Sequence, residues 1–229
     1  MLAASAAPSA AGTVIGKLEL PPADRPPVVA KGFLDRSENP LAEVKKPNLA
    51  PYFIVALEGG DGPPSAPAEV SWDVVGESFS RPVIGVPTGA QVVIHNLTKV
   101  PRSLVAAEDP KLIAGPLNPT GSKSFRAGPP ATFTIRDHDA PYLRGQVVVV
   151  ATGHVTTVDD TGRFELADVP DGTYKLRVFY ADPAGRAGGW LATTTEVTVA
   201  GKKSGKTEVT AKVSASDLAG TPAAGPGKK

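Results

Sequence analysis

From Thr13 onward apolar residues come in short runs, alternating with polar ones or clustered, and the runs are broken by Gly, Pro, Asn or Asp. That pattern predicts strands joined by turns. One set of runs is "TVIGKLEL" (13–20), "YFIVALEG" (52–59), "VSWDVV" (70–75), "AQVVIHNL" (90–97), "ATFTIRD" (131–137) and "GQVVVVAT" (145–152). A second set is "GRFELADV" (162–169), "GTYKLRVFYA" (172–181), "TTTEVTVA" (193–200) and "KTEVTAKV" (206–213). In the second set Phe164, Leu166, Val169, Tyr174, Leu176 and Val178 fall on one face and are expected to pack a core. The intervening "VDDTGRF" predicts a hairpin turn, with Asp160 forming an Asx turn and Gly162 at positive φ. Three turns of helical periodicity occur nowhere, and "NPLAEVKK" (39–46) is long enough for one turn.

Two connections are long. Residues 21–51 carry seven prolines, and residues 98–124 join two strand runs; long ordered loops in a compact domain are often functional. The tail from Asp217, rich in Ala, Gly and Pro, is expected to be flexible. With 229 residues the chain can build two sandwich-sized units, each with its own core. Gly and Pro number 24 each while apolar residues still make up 41%, a turn-rich globular composition. The charges nearly cancel, 24 basic against 23 acidic, so no global field draws the chain to nucleic acid or an anionic membrane surface. Aromatics interleaved with basic residues, as a nucleic-acid surface requires, are absent. No apolar stretch approaches the ~20 residues that span a bilayer. Residues 1–11 are small and uncharged, and Ser9 and Ala11 stand at −3 and −1 of a signal-peptidase site before Gly12. They are therefore expected to be the remnant of an export signal, which places the protein in the periplasm or outside the cell.

Several segments, in order, resemble bacterial cupredoxin-like (plastocyanin-like) exported proteins in which a copper-type sandwich is followed by a carboxypeptidase-regulatory-like one. "GTVIGKLEL…YFIVALEG" is similar to that family's opening strands. "ESFSRPVIGVPTGAQVVIHNLTKVPRSLVA" is similar to the stretch that ends in an Asn-containing ligand loop. "GPLNPTGSKSFRAGPPATFTIRD" is similar to the stretch leading to the ligand strand. "DDTGRFELADVPDGTYKLRVFY" is similar to the downstream module's G-x-F-x-L-x-x-V-P-x-G-x-Y-x-L signature, the most specific of the four. The resemblance implies an all-β protein: a Greek-key cupredoxin-like sandwich over 12–150 and a smaller transthyretin-like sandwich over 151–215, flanked by 1–11 and a flexible 216–229. Which sandwich the first strand joins is left open.

In copper-binding members a His follows the Asn, and Cys, His and Met follow before the last strand. The resemblance puts these positions at Arg102, Asp137, Ala140 and Leu143. Blue copper needs two imidazoles and a thiolate, and a chain without cysteine cannot supply the thiolate. No cofactor is therefore expected. Arg102 and Asp137 are instead expected to pair through two parallel hydrogen bonds, linking two loops where a metal would otherwise sit. The alternative is a metal or carbohydrate site in the Asp137-His138-Asp139 loop, with His95 as a further ligand, set against the tendency of neighbours on extended chain to point apart. Asp137 and Asp139 as an acid/base pair for glycosidic chemistry stand against the commoner use of such aspartates in turns. No G-x-S-x-G elbow and no phosphate-cradling glycine loop occurs, and no catalytic group is assigned. Trp190, after "AGRAGG", is expected on or beside a hairpin loop as an exposed contact. The expected function is non-enzymatic: binding or structural, with a protein or glycan partner in the cell envelope.

Overall fold

A computed structural model describes residues 11–21, 48–60, 69–113, 115–183, 188–200 and 206–219. The one-turn helix expected over 39–46 lies outside them, as do residues 1–10 of the expected signal remnant; Ala11 pairs with Pro170. The strands are β1 (Ala11–Glu19), β2 (Phe53–Gly59), β3 (Glu69–Val75), β4 (Ser78–Phe79), β5 (Val83–Pro87), β6 (Gln91–Asn96), β7 (Leu104–Ala106) and β8 (Ser122–Arg126). They continue with β9 (Ala131–Asp137), β10 (Arg144–Val150), β11 (Val155–Thr157), β12 (Arg163–Pro170), β13 (Gly172–Tyr180), β14 (Gly189–Val199) and β15 (Lys206–Lys212), then a short helix α1 (Ala215–Ala219). The all-β expectation holds. Asp217, expected to open a flexible tail, instead lies in α1, where its carboxylate accepts the Ser214 N–H at 2.9 Å.

The strands form four sheets, ordered β12-β1-β15, β11-β2-β13-β14, β5-β10-β9-β7 and β4-β3-β6-β8. The first two enclose a core built from residues such as Leu18, Phe53, Leu57, Phe164, Tyr174 and Leu176. The last two enclose another, around Trp72, Ile94, Leu104, Ile135, Leu143 and Val147. The division expected at residue 150 is thus corrected. β1 runs parallel to β15 and antiparallel to β12, and β2 pairs with β11 and β13, so the opening strands belong with the C-terminal ones. Residues 69–150 form a second sandwich set into the first between β2 and β11.

A third apolar cluster joins the sandwiches: Ile54 and Ala56 of β2, Val83 of β5, Val148 and Val150 of β10, and Phe179 and Ala181, with Trp190 packed alongside. This explains the two runs in the sequence that are apolar without alternation. A strand shows alternate side chains to opposite faces. In β2, Phe53, Val55 and Leu57 enter one sandwich core while Ile54 and Ala56 enter the joint. In β10, Val147 and Val149 face their own core while Val148 and Val150 face the joint. Gly85 of β5 lets the sheets approach, because a Cβ there would collide with Val155 and lie 3.1 Å from Ile54 Cδ1. Arg81 adds a polar tie, donating from Nη1 to the Val158 carbonyl at 3.2 Å.

Three local expectations change. Gly162 does take positive φ (82°), but the aspartate that closes this turn is Asp159, whose Oδ1 accepts the N–H groups of Thr161 and Arg163 at 2.8 and 2.9 Å. Trp190 does stand beside the β13–β14 hairpin connection, but not as an exposed contact. It is half-buried in β14, edge-on to Phe179 at 5.4 Å, with the Arg177 guanidinium 4.8 Å above its ring. The stretch 98–124 is not one uninterrupted loop: it holds β7, the first residues of β8, and a bridge pairing Arg102 with Leu117.

Candidate functional site

Three segments meet at one end of the 69–150 sandwich: the β3–β4 turn at Gly76 and Glu77, the stretch Leu97–Ser103 after β6, and His138–Leu143 after β9. Asn96, fully buried, shapes the second. Its Nδ2 donates to the carbonyls of Val100, Leu117 and Asn118 at 2.8, 3.2 and 3.2 Å, and its Oδ1 accepts the Thr98 N–H and hydroxyl at 3.0 and 2.7 Å. The turn so fixed carries Arg102, whose backbone exchanges two hydrogen bonds with Leu117 at 3.0 and 2.8 Å. The third segment is closed by the Asp137 N–H donating to the Leu143 carbonyl at 3.0 Å and tied to the second by the His138 N–H donating to the Ser103 carbonyl at 2.9 Å.

Arg102 is only 4% exposed and Asp137 2%, and their side chains meet as an ion pair, Nη1 to Oδ2 at 3.6 Å. The two parallel hydrogen bonds expected from the sequence are not formed. The reason lies in the other partners. Arg102 Nη2 donates to the Gly76 carbonyl at 2.9 Å and to Glu77 Oε1 at 3.4 Å, which turns the guanidinium fork toward the β3–β4 turn. Asp137 Oδ1 accepts the N–H groups of Asp139 and Ser103 at 3.0 and 3.4 Å, which holds the carboxylate against its own loop. Arg102 Nε is buried without a hydrogen-bond partner among the described residues. The guanidinium thus sits between two carboxylates and a carbonyl, touching all three segments.

Glu77 and Tyr142 extend the network and carry no signal in the sequence, being exposed residues 65 positions apart in two turns. The Tyr142 hydroxyl donates to Glu77 Oε2 at 2.6 Å. That hydrogen bond, with Arg102 adding to it, holds the Glu77 carboxyl below the ordinary carboxylate value, and the same contact raises the Tyr142 phenol above 10.0.

The remaining positions do not assemble a second site. Ala140 and Leu143 are buried in the sandwich core. His138 and Asp139 project into solvent and pair with each other, Nδ1 to Oδ1 at 3.1 Å, which lowers the Asp139 carboxyl. His95 lies on β6 opposite Asp73 and Ser122. The alternative Asp137-His138-Asp139 site is therefore corrected: Asp137 turns inward to Arg102 while its two neighbours turn out. Among the described residues no three His, Cys, Asp or Glu side chains are grouped to hold a metal ion. The residues at the four copper-type positions do not fit copper. Two are aliphatic and one is a guanidinium, a donor-only cation with no lone pair to give a metal.

Around this buried charge, exposed apolar side chains stand among the exposed Glu77, Lys99, His138 and Asp139. Leu97 (61% exposed), Tyr142 (67%), Val75 and Val100 are the large hydrophobic residues that stand exposed among the described residues, and all four lie in these three segments or at the end of β3 beside them. The Leu97 N–H donates to the Val74 carbonyl at 3.0 Å, which brings Leu97 beside Val75.

No protein-family model matches the chain, and no curated protein matches it. Solved structures similar to part of it are amicyanins. A reduced-state amicyanin variant is 21% identical at a TM-score of 0.33, over 35% of this chain and 81% of that one. Amicyanin from Paracoccus versutus is 16% identical at 0.32, over 39% and 86%. A reduced Cu(I) form of another variant at pH 4 is 18% identical at 0.33, over 42% and 98%.

Proposed function

We propose that this is a non-enzymatic, exported binding protein of the cell envelope, built on a cupredoxin-like scaffold in which the Arg102–Asp137 ion pair does the structural work of a metal. The observation that carries this reading is the pairing of the two features just described. A buried charge network fixes three segments, and the apolar residues those segments present stay in solvent. A rigid apolar patch rimmed by polar groups is a surface that gains by being covered. The partner that suits it is a protein with an apolar contact area. Asp137, buried against a cation, is not placed to exchange protons with a substrate.

The test is capture of partners from native envelope fractions with the wild-type chain and with Leu97→Asp. Exposed at 61%, Leu97 can change with little effect on folding, so the variant isolates the surface. A protein retained by the wild type and lost with Leu97→Asp supports the reading. Equal retention by both, or stoichiometric metal in the purified protein, overturns it.

A further inference from the structure

The apolar order of the joint breaks at one strand position. Val148 and Val150 of β10 face the neighbouring sandwich, and two residues earlier on the same face stands Gln146, 7% exposed. A buried amide where the pattern calls for another valine is a departure from packing logic, and such departures concentrate at functional sites. Its surroundings fit that reading. The Gln146 N–H donates to the Pro82 carbonyl at 2.9 Å, and Gly188 is needed beside it, since a Cβ there would lie 2.5 Å from Gln146 Oε1.

Gln146 lines a cleft of about 430 Å³ between the two sandwiches, open on one side. Tyr52, at the head of β2, lines it from one sandwich and Tyr142 from the other. The forked polar side chains of Arg144 and Asp182 line it together with Gln146, and Thr134 adds a hydroxyl. Arg144 is exposed, its Nη2 donating to the Pro183 carbonyl at a long 3.5 Å. Tyr142 is held at the rim by Glu77.

The chemistry of this lining selects its ligand. Among the described residues that line it, one arginine and one aspartate cancel, which disfavours a phosphate or a polyanion. A half-open cleft lined by amide, guanidinium and carboxylate does not suit an acyl chain, which needs an enclosed apolar cavity. Phenol rings offer flat faces to C–H groups, and planar forked side chains match vicinal hydroxyl pairs, each taking or giving two hydrogen bonds. The size is at the small end of ligand sites, suited to one or two sugar rings. We propose that this cleft binds a neutral saccharide of one or two residues, with Tyr52 and Tyr142 against the sugar faces and Arg144, Gln146 and Asp182 on its hydroxyls. The cleft shares Tyr142 with the apolar patch but not Leu97, Val75 or Val100, so Leu97→Asp tests the patch without touching the cleft.

Isothermal titration calorimetry tests it with maltose, cellobiose, lactose and diacetylchitobiose, beside a sugar phosphate and a uronate dimer as charged probes. Binding of at least one neutral disaccharide is expected, weakened about tenfold or more by Arg144→Ala and by Tyr142→Ala and unchanged by Leu97→Asp, a tenfold change being about 1.4 kcal/mol. Arg144 is a surface residue, so its variant separates lost binding from lost folding, and a thermal melt of each variant verifies this. Binding of the charged probes alone, no binding of any neutral disaccharide, or equal binding by Arg144→Ala overturns the proposal.

Discussion

The two sandwiches handle polar groups differently. Among the described residues, the four buried polar or charged side chains are Asn96, Arg102, Asp137 and Gln146, and all belong to the sandwich of residues 69–150. The other sandwich fills its interior with aliphatic and aromatic residues, and an aspartate such as Asp159 serves it by closing an exposed turn. A buried polar group costs stability unless it is paired, and a buried charge costs more. One sandwich is therefore built for packing, while the other accepts that cost at two places: the three-segment junction under the apolar patch, and the cleft at the joint. Those are the two places to which function is assigned here.

Substitutions that set one sandwich against the other sharpen the contrast. The largest effect is expected for Asp137→Ala, which strands Arg102 at 4% exposure with only the solvent-facing Glu77 as counter-charge. Breaking one side of a buried pair costs about 3–5 kcal/mol, and urea denaturation should show a loss at the lower end of that range. Next comes Gly85→Leu at the joint. Overpacking there should cost about 1–3 kcal/mol and lower the melting temperature. Asp159→Ala in the other sandwich removes turn hydrogen bonds at an exposed site and should cost only about 1 kcal/mol. A loss at Asp159 as large as at Asp137 would erase the distinction between the sandwiches.

The smallest effect is a titration. The Glu77 carboxyl is lowered from 4.5, so what its bond to Tyr142 contributes is present above that value and lost as pH falls through the lower folded value. The Tyr142 phenol is raised from 10.0, so its contribution is present below 10.0 and lost as pH rises through the higher folded value. Ultraviolet titration of the tyrosines should show a phenol above the ordinary range that returns toward it in Glu77→Gln. A titration unchanged by Glu77→Gln would remove Glu77 and Tyr142 from the network.

Much of this architecture is legible in the sequence, for identifiable reasons. Alternation placed β12 and β13 within a residue of their ends, because β12 buries one face and β13 does so until Phe179 enters the joint. The unalternating "FIVAL" and "VVVV" runs read only as strands, and the structure shows both faces buried, the second under a neighbouring sheet that no local pattern names. The partner of β1 was not legible: β15 pairs with it across nearly the whole chain, and an apolar strand carries no label for its neighbour. The short strands β4, β5, β7, β8 and β11 escaped, being two to five residues long and hemmed by Pro, Gly or loop sequence. At the site, the family resemblance brought Arg102 and Asp137 together, but their geometry depends on Gly76, Glu77 and Tyr142, and turn residues distant in sequence give no sign of meeting.

The claim that Arg102 and Asp137 act as one cross-link rests most directly on a double-mutant cycle in urea. Arg102→Met, Asp137→Leu and the double variant are to be compared with the wild type. Each single change leaves a buried charge without its main partner, whereas the double removes both and leaves an apolar contact. The double variant should therefore be more stable than either single one, with a coupling of about 1–3 kcal/mol. Losses that simply add would contradict the account and reduce the pair to two charges that happen to lie side by side.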